Sequence, residues 1–283
     1  MIERIAVLGA GIMGRGIAYA AAVAGYDTTL YDASPVALEE GMADIRALMD
    51  KGVAAGKLAA EARDKARLTP KSDLDGAAVE ADLVIEAIPE NMKLKRETFE
   101  RLDGLTRPEA ILASNTSSLS ITEMAATTKR PGQVVGMHFF NPVHRMKLLE
   151  VVRGLETDDR TIEAVTVVGM RMGKEAVVVR EAPGFVTTRV NALIGNEAFR
   201  MLEEGVASAR DIDKALKLGL NHPMGPFELV DLVGLDTRLS ILEFLFDTLG
   251  ERYRPNNLMV QYVKAGRLGK KSGRGVYEYN EGA

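Results

Sequence analysis

The sequence predicts an α/β fold, in which a doubly wound parallel sheet is followed by a second, all-helical C-terminal domain. In the first part of the chain, short apolar runs alternate with helical patterns, as in parallel strands joined by crossover helices. The first run leads directly into Gly-x-Gly-x-x-Gly at Gly9–Gly14. After Pro183-Gly184-Phe185 the pattern is almost wholly helical. These observations indicate a Rossmann-type domain at residues 1–182 and a helical domain at residues 183–283.

The elements of the first domain can be placed one by one. Gly25 suits a helix end, and Ser34-Pro35 reads as an N-cap followed by proline at the first helical position. Strands are predicted at Ile5–Leu8, Thr28–Tyr31, from Asp82 to a turn at Pro89-Glu90, Ile111–Ser114, Val134–His138, Leu148–Val152 and Ala176–Val179. Helices are predicted at Met13–Ala24, from Pro35 towards Met49, and at Lys51–Arg67, Lys93–Leu102 and Thr161–Met172. Only Phe139–Lys147 separates two of these strands, too short for a helical crossover, so that pair is expected to be antiparallel.

The second domain is predicted to contain five helices. The first is long and carries apolar residues from Val186 to Leu202, and the others are predicted at Asp211–Leu218, Glu228–Val233, Thr237–Leu249 and Asn257–Ala265. Their many apolar side chains favour a homodimer. The alternative is that this apolar surface packs on the first domain.

The glycine motif predicts a dinucleotide site. Gly9 permits a sharp turn, Gly11 lets a pyrophosphate approach the backbone, and Gly14 lets the helix lie close to the sheet. The expected contact segment is Gly9, Ala10, Gly11, Ile12, Met13 and Gly14. Asp32 ends the second strand and is suited to hydrogen-bond a ribose hydroxyl, which favours NAD over NADP. The alternatives are an ordinary glycine-rich turn and a solvated acid at a strand end.

Composition excludes several kinds of function. The chain of 283 residues has a formal net charge of −4, which gives no reason to expect nucleic acid or an anionic membrane as a partner. It contains no cysteine, so disulfides, thiolate nucleophiles and cysteine-based metal sites are excluded, and no metal is expected. We find neither room for a signal peptide before the first strand nor an apolar run of about 18 residues, and therefore expect a cytoplasmic protein.

His138 and Glu150 are the candidate catalytic pair. His138 stands at the end of a predicted strand, and Glu150 lies in the next strand, 12 residues later. Oxidation of a secondary alcohol requires a group that accepts a proton near neutral pH, which suits histidine, and a carboxylate can orient and stabilise the imidazolium. Ser117 and Asn141 could add neutral hydrogen bonds, although Ser114, Thr116, Ser118 and Ser120 compete with Ser117 on sequence grounds.

The same residues resemble the 3-hydroxyacyl-CoA dehydrogenase family, most closely its short-chain 3-hydroxybutyryl-CoA members. The resemblance spans essentially the whole chain. The matching motifs are Gly9–Gly14 with Asp32, Ala87–Glu90, Ser114–Leu119, Met137–Pro142, Pro183–Phe185, His222–Pro226 and Gly269–Tyr277. It implies a reversible hydride transfer between an (S)-3-hydroxyacyl-CoA and NAD, giving a 3-ketoacyl-CoA.

The resemblance also assigns roles to residues. It implies that His138 is the general acid/base with Glu150 as its partner, and that Ser117 contacts both the substrate and the nicotinamide side. Asn141 is expected against the nicotinamide, and Glu90, Lys95 and Lys271 match positions that touch NAD. The acyl-CoA is expected in a cleft between the domains of a homodimer. Lys51 and Lys57 lie near the segment expected to meet CoA phosphates, with solvated helix lysines as the alternative.

One position departs from the family pattern. Thr188 stands where the family usually has an asparagine that helps to hold the substrate, and Asn191, almost one helical turn later, could substitute. Two other functions stay open on sequence grounds. The same scaffold could act on 3-hydroxyadipyl-CoA or on a free hydroxy or sugar acid, or the chain could be a non-catalytic nucleotide-binding or structural protein.

Overall fold

The computed structural model describes residues 2–279, which divide into two compact units on either side of the Ala182–Pro183 bond. The first unit is built on one eight-stranded sheet in the order β3-β2-β1-β4-β5-β6-β7-β8. Its strands are β1 Arg4–Leu8, β2 Asp27–Tyr31, β3 Arg67–Lys71, β4 Leu83–Glu86, β5 Ile111–Ser114, β6 Val134–Phe139, β7 Leu148–Arg153 and β8 Glu175–Arg180. All pairs are parallel except β6 with β7. The doubly wound sheet and the antiparallel pair are confirmed.

Seven helices connect the strands of this sheet within the described residues. They are α1 Ile12–Val23, α2 Pro35–Ala54, α3 Ala60–Lys65, α4 Leu74–Ala78, α5 Met92–Leu105, α6 Ile121–Ala125 and α7 Asp159–Arg171. Ser34 caps α2 by accepting the Ala37 N–H, as its sequence position predicts. The core beneath them is mainly aliphatic, and the central strands β4 and β5 are buried along their whole length.

The single helix predicted at Lys51–Arg67 is wrong. Helix α2 continues past Met49 to Ala54, α3 is short, and Arg67 already begins β3. Strand β3 lies at the sheet edge with four of its five residues exposed, so its sequence lacks the apolar pattern that marks a buried strand. Pro70 is tolerated there because an edge strand need not donate every backbone hydrogen bond. The short helices α4 and α6 were not predicted either.

The second unit is helical, as predicted. Its α-helices are α8 Thr187–Glu203, α9 Ala209–Gly219, α10 Pro226–Val233, α11 Leu235–Leu249 and α12 Asn257–Lys264. They enclose a core of their own that includes Phe199 and Phe227, whose ring centroids lie 5.2 Å apart. Buried Asp213 accepts the N–H groups of Phe227 and Glu228 at the start of α10. No helix among the described residues is long and apolar enough to cross a membrane.

Candidate active site

The turn after β1 is shaped by close approaches of the backbone. Gly9 adopts φ +100°, and a Cβ added there would lie 2.6 Å from the Ala87 carbonyl oxygen. A Cβ on Gly14 would lie 1.7 Å from the Gly9 oxygen, so α1 can approach the turn only because this residue is glycine. At Gly11, no described heavy atom outside this glycine and its two chain neighbours lies within 4 Å of the Cβ position. The space that a Cβ would enter at Gly11 is therefore open to a ligand.

The start of α1 is suited to bind an anion. Gly11 is the N-cap, and within the described part of the chain no side chain accepts a hydrogen bond from the first turn, which also lacks an acidic residue. Ile12 and Met13 are the first two residues of α1, so their N–H groups have no acceptor within the helix and lie at the positive end of its dipole. This arrangement fits the pyrophosphate of a dinucleotide.

Asp32 is held beside that turn. Its Oδ2 accepts the Ala10 N–H at 2.8 Å, and its Oδ1 accepts the Ser34 N–H at 2.9 Å. The carboxylate lines a cavity of about 780 Å³, together with Gly9, Gly11, Pro89 and Thr98. Both oxygens keep further lone pairs, so Asp32 can still accept hydrogen bonds from a ribose. The residues present fit NAD.

The His138 and Glu150 side chains meet across the antiparallel strands. The register of β6 and β7 places the two residues directly opposite each other, so both side chains project from the same face of the sheet. His138 Nδ1 lies 2.7 Å from Glu150 Oε2. His138 is 4% exposed and Glu150 is 1% exposed, so a charge on either side chain is stabilised by the opposite charge on the other. A carboxylate on Nδ1 selects the tautomer in which Nε2 is the basic nitrogen.

Ser117 lies in a tightly held turn after β5. Its backbone N–H donates to Glu90 Oε1 at 3.1 Å, and the Thr116 hydroxyl donates to the same oxygen at 2.5 Å. Asn115 accepts the Phe139 N–H at 2.9 Å through its side-chain oxygen, which ties the turn to the residue after His138. The structure therefore links the segment of Ser117 to the end of β6.

Lys95 is buried rather than presented at the surface. It is 1% exposed, and its ammonium lies 2.7 Å from Glu86 Oε1 and 3.3 Å from Glu90 Oε2. Burial raises the pKa of Glu86, against the opposing effects of Lys95 and of hydrogen bonds from Ser114 and Ile88. Sequence reasoning missed Glu86, although an acid inside the apolar run Leu83–Ile88 is a signal of a buried polar network.

Two further cavities in the first unit contain the predicted lysines. Lys51 and Asn141 line a cavity of about 290 Å³ together with Arg15 and His144. Lys57 lines a second cavity of about 400 Å³, and no carboxylate occurs among its described lining residues. The other basic groups of that second cavity are His144, Arg145, Lys147, Arg171 and Lys174. Partial burial, followed by the charges of Arg145, Lys174 and Lys57, lowers the pKa of His144, as expected in a cationic environment.

Thr188 and Lys271 lie in the second unit. Thr188 is partly buried in the first turn of α8, and Asn191 follows it on the same helix. Lys271 pairs with Asp236, with Nζ 2.7 Å from Oδ2. No helix or strand was predicted for the segment that carries Lys271, and Asp231 holds the following residues by accepting the N–H groups of Val276 and Tyr277.

The open helix N-terminus after β1 is suited to bind a dinucleotide, and the buried histidine–carboxylate pair is suited to abstract a proton. Together they suit the chemistry of nicotinamide-dependent dehydrogenases. The NAD-binding domain model of 3-hydroxyacyl-CoA dehydrogenase matches residues 4–182, and its C-terminal domain model matches residues 184–279. The chain belongs to the 3-hydroxyacyl-CoA dehydrogenase family. It is thus an oxidoreductase that uses NAD, which confirms the family and the cofactor expected from the sequence.

Similar proteins cover nearly the full chain. A probable 3-hydroxybutyryl-CoA dehydrogenase of Bacillus subtilis is 50% identical, over 99% of this chain and 98% of that protein. A 3-hydroxyadipyl-CoA dehydrogenase of Escherichia coli is 42% identical, over 98% of this chain and 59% of that protein. The crystal structure of (S)-3-hydroxybutyryl-CoA dehydrogenase from Ralstonia eutropha superposes with a TM-score of 0.95 at 43% identity, covering 99% of this chain and 100% of that one.

Proposed function

We propose that this protein interconverts (S)-3-hydroxybutyryl-CoA and the corresponding 3-ketoacyl-CoA with NAD, with short acyl chains favoured. The observation that carries the proposal is the 2.7 Å contact between His138 Nδ1 and Glu150 in a buried site. Relatives named for the same four-carbon substrate cover almost the whole chain, which supports the choice of substrate.

The chain's own residues supply the proton chemistry. His138 accepts the proton of the substrate hydroxyl at Nε2, and Glu150 stabilises the imidazolium that forms. When bound, NAD would supply the acceptor for the hydride that leaves the carbon bearing this hydroxyl group. Ser117 and Asn141 position the substrate oxygen and the nicotinamide by hydrogen bonds, and Thr188 takes the place of the usual substrate-holding asparagine. In the reverse direction, His138 returns its proton to the ketone oxygen.

The cofactor site is assigned to the first unit. Gly9, Gly11 and Gly14 admit the pyrophosphate, and Asp32 binds the ribose. Glu90 and Lys95 are assigned to NAD, and Lys95 is also paired with the buried Glu86. Contact of Lys271 with NAD stays a prediction, as do the homodimer formed through residues 183–283 and the cytoplasmic location.

Lys57 and Lys51 are assigned to the phosphates of CoA. The Lys57 cavity gathers six basic side chains, including Lys174, and no carboxylate among its described lining. A cationic cavity of this kind is suited to the doubly charged 3′-phosphate of CoA. Lys57→Ala should raise KM for 3-hydroxybutyryl-CoA by about threefold to tenfold, and should change KM for the dephospho-CoA ester less. Lys65→Ala, on the exposed helix α3, is the matched control.

A substrate panel tests the proposed reaction. Initial rates of NADH formation are compared for 3-hydroxyacyl-CoA esters of increasing length, for 3-hydroxyadipyl-CoA and for free hydroxy acids. The highest kcat/KM is expected for the four-carbon ester with NAD, and a much lower value with NADP because Asp32 repels a 2′-phosphate. The second candidate, 3-hydroxyadipyl-CoA, is favoured by the Escherichia coli relative. A preference for that ester, or no turnover of any CoA ester, contradicts the proposal.

A further inference from the structure

The turn that carries Ser117 is held from below by a buried network centred on Glu86. Glu86 ends β4 and is 0% exposed. Its Oε1 accepts hydrogen bonds from Lys95 Nζ at 2.7 Å and from the Ile88 N–H at 2.8 Å, and its Oε2 accepts the Ser114 hydroxyl at 2.6 Å. A carboxylate with this many donors has one orientation, and its partners are fixed with it.

Two branches lead from Glu86 to the turn. In the first branch, Ser114 Oγ also accepts the Thr116 N–H at 3.2 Å. In the second, the Lys95 ammonium lies 3.3 Å from Glu90, and Glu90 accepts both the Thr116 hydroxyl and the Ser117 N–H. The two branches converge on Thr116, which is 1% exposed and holds the next part of the turn in the same way.

Thr116 also restrains the next two residues after Ser117 in the turn. Its Oγ1 accepts the N–H groups of Ser118 at 3.3 Å and Leu119 at 2.9 Å. The Ser117, Ser118 and Leu119 amides are therefore all bonded to side chains of the network, and none of the three bonds belongs to a regular helix or strand. The position of Ser117 therefore depends on the side chains of Glu86, Lys95, Glu90 and Thr116.

We propose that Glu86 and Lys95 are positioning residues for hydride transfer, which act by fixing the turn that presents Ser117. Neither contacts the reacting atoms. Lys95 neutralises Glu86 and restrains Glu90, so that Glu90 keeps the turn in one conformation. This inference rests on the proposed function for the reaction it serves, but its structural part can be measured without any substrate.

The test uses Glu86→Gln/Lys95→Met, because removing both charges leaves no unpaired buried ion and preserves the fold. Amide hydrogen exchange of Ser117, Ser118 and Leu119 is followed by mass spectrometry or NMR. Exchange is expected to become about tenfold faster at these amides, while the central strands stay protected. Unchanged exchange in the folded double variant overturns the proposal.

Kinetics then connect the turn to the reaction. In the double variant, kcat for 3-hydroxybutyryl-CoA should fall about tenfold to a hundredfold, with a smaller change in NADH affinity measured by fluorescence. The same two substitutions are then made in the Ser117→Ala variant. There kcat should fall less than about threefold below that of Ser117→Ala alone, because the side chain that the network positions is already absent. Faster exchange without a loss of kcat, or a fully additive loss, overturns the proposal.

Asp103→Asn is the matched control. Asp103 forms a partly buried ion pair with Arg130 at 2.8 Å, at the far end of α5 from Lys95. It should lower stability but leave the exchange of the Ser117 turn and kcat unchanged. If the wild-type protein turns over no CoA ester, the proposed function fails, and the exchange experiment alone still decides whether Glu86 and Lys95 hold the turn.

Discussion

Two buried ion pairs of the first unit differ in their side chains and in the elements that carry them. His138 and Glu150 face each other across neighbouring strands, with His138 Nδ1 2.7 Å from Glu150 Oε2. Glu86 and Lys95 join a strand end to a helix, and further hydrogen bonds surround the carboxylate. Since both pairs are almost completely buried, burial alone does not identify a catalytic group. The difference is chemical, because the His138 imidazole has a second ring nitrogen that can accept a proton, whereas the Lys95 ammonium only donates hydrogen bonds.

The comparison predicts that His138→Gln has the largest effect on catalysis. The variant should bind NADH normally in a fluorescence titration, because the glycine turn and Asp32 are untouched. Its kcat should fall by about 10²–10⁴-fold, since the proton acceptor is lost. A fully active His138→Gln enzyme contradicts the assignment.

Lys95→Met alone should have the largest effect on stability. It leaves the buried Glu86 carboxylate without its counter-ion, and such a loss destabilises proteins by about 3–5 kcal/mol. Urea unfolding measures the change. Adding Glu86→Gln should recover much of the lost stability, and failure of the second substitution to recover any would mean that the charge on Glu86 is not the cause.

Glu150→Gln should affect catalysis more than stability. The side-chain amide keeps the volume of Glu150 but cannot stabilise the imidazolium, so kcat should fall about a hundredfold. Because a neutral histidine can still hydrogen-bond the amide, the free energy of unfolding should change less than in Lys95→Met. The two pairs are therefore distinguished by comparing, for each variant, the loss in kcat with the loss in free energy of unfolding. Steady-state kinetics and urea unfolding of both variants give these values.

Asp82→Asn should have the smallest effect on stability of these substitutions. Because Asp82 belongs to neither pair, it serves as a reference. Burial acts to raise the pKa of Asp82, but the N–H groups of Glu3 and Arg4 and the Arg107 guanidinium outweigh it and lower that pKa overall. The folded state therefore favours the charged form, and this stabilisation is present at neutral pH and lost as the pH falls through the lowered value. The variant should lose about 1–2 kcal/mol at pH 7 and progressively less in acid, as measured by thermal unfolding.

Much of the site was predictable because its signals are local. The turn from β1 into α1 needs glycine at fixed spacings whatever the rest of the fold does, and Asp32 follows from the same unit. The His138–Glu150 pairing was also predictable, because the short connection from Phe139 to Lys147 forces an antiparallel return. The edge strand β3 was missed, because an exposed strand has no apolar pattern to reveal it.

The sequence by itself determined the glycine turn, the use of NAD suggested by Asp32, and the pairing of His138 with Glu150, since each rests on residue type at short separation. Only the tertiary structure decided that Lys95 is buried and paired with Glu86, and that Thr116 links Ser114 and Glu90 to the Ser117 turn. Those contacts join residues from β4, α5 and the end of β5, which are brought together by strand order and helix packing. No spacing rule along the chain encodes such contacts, because their geometry is set by the packing of the whole sheet.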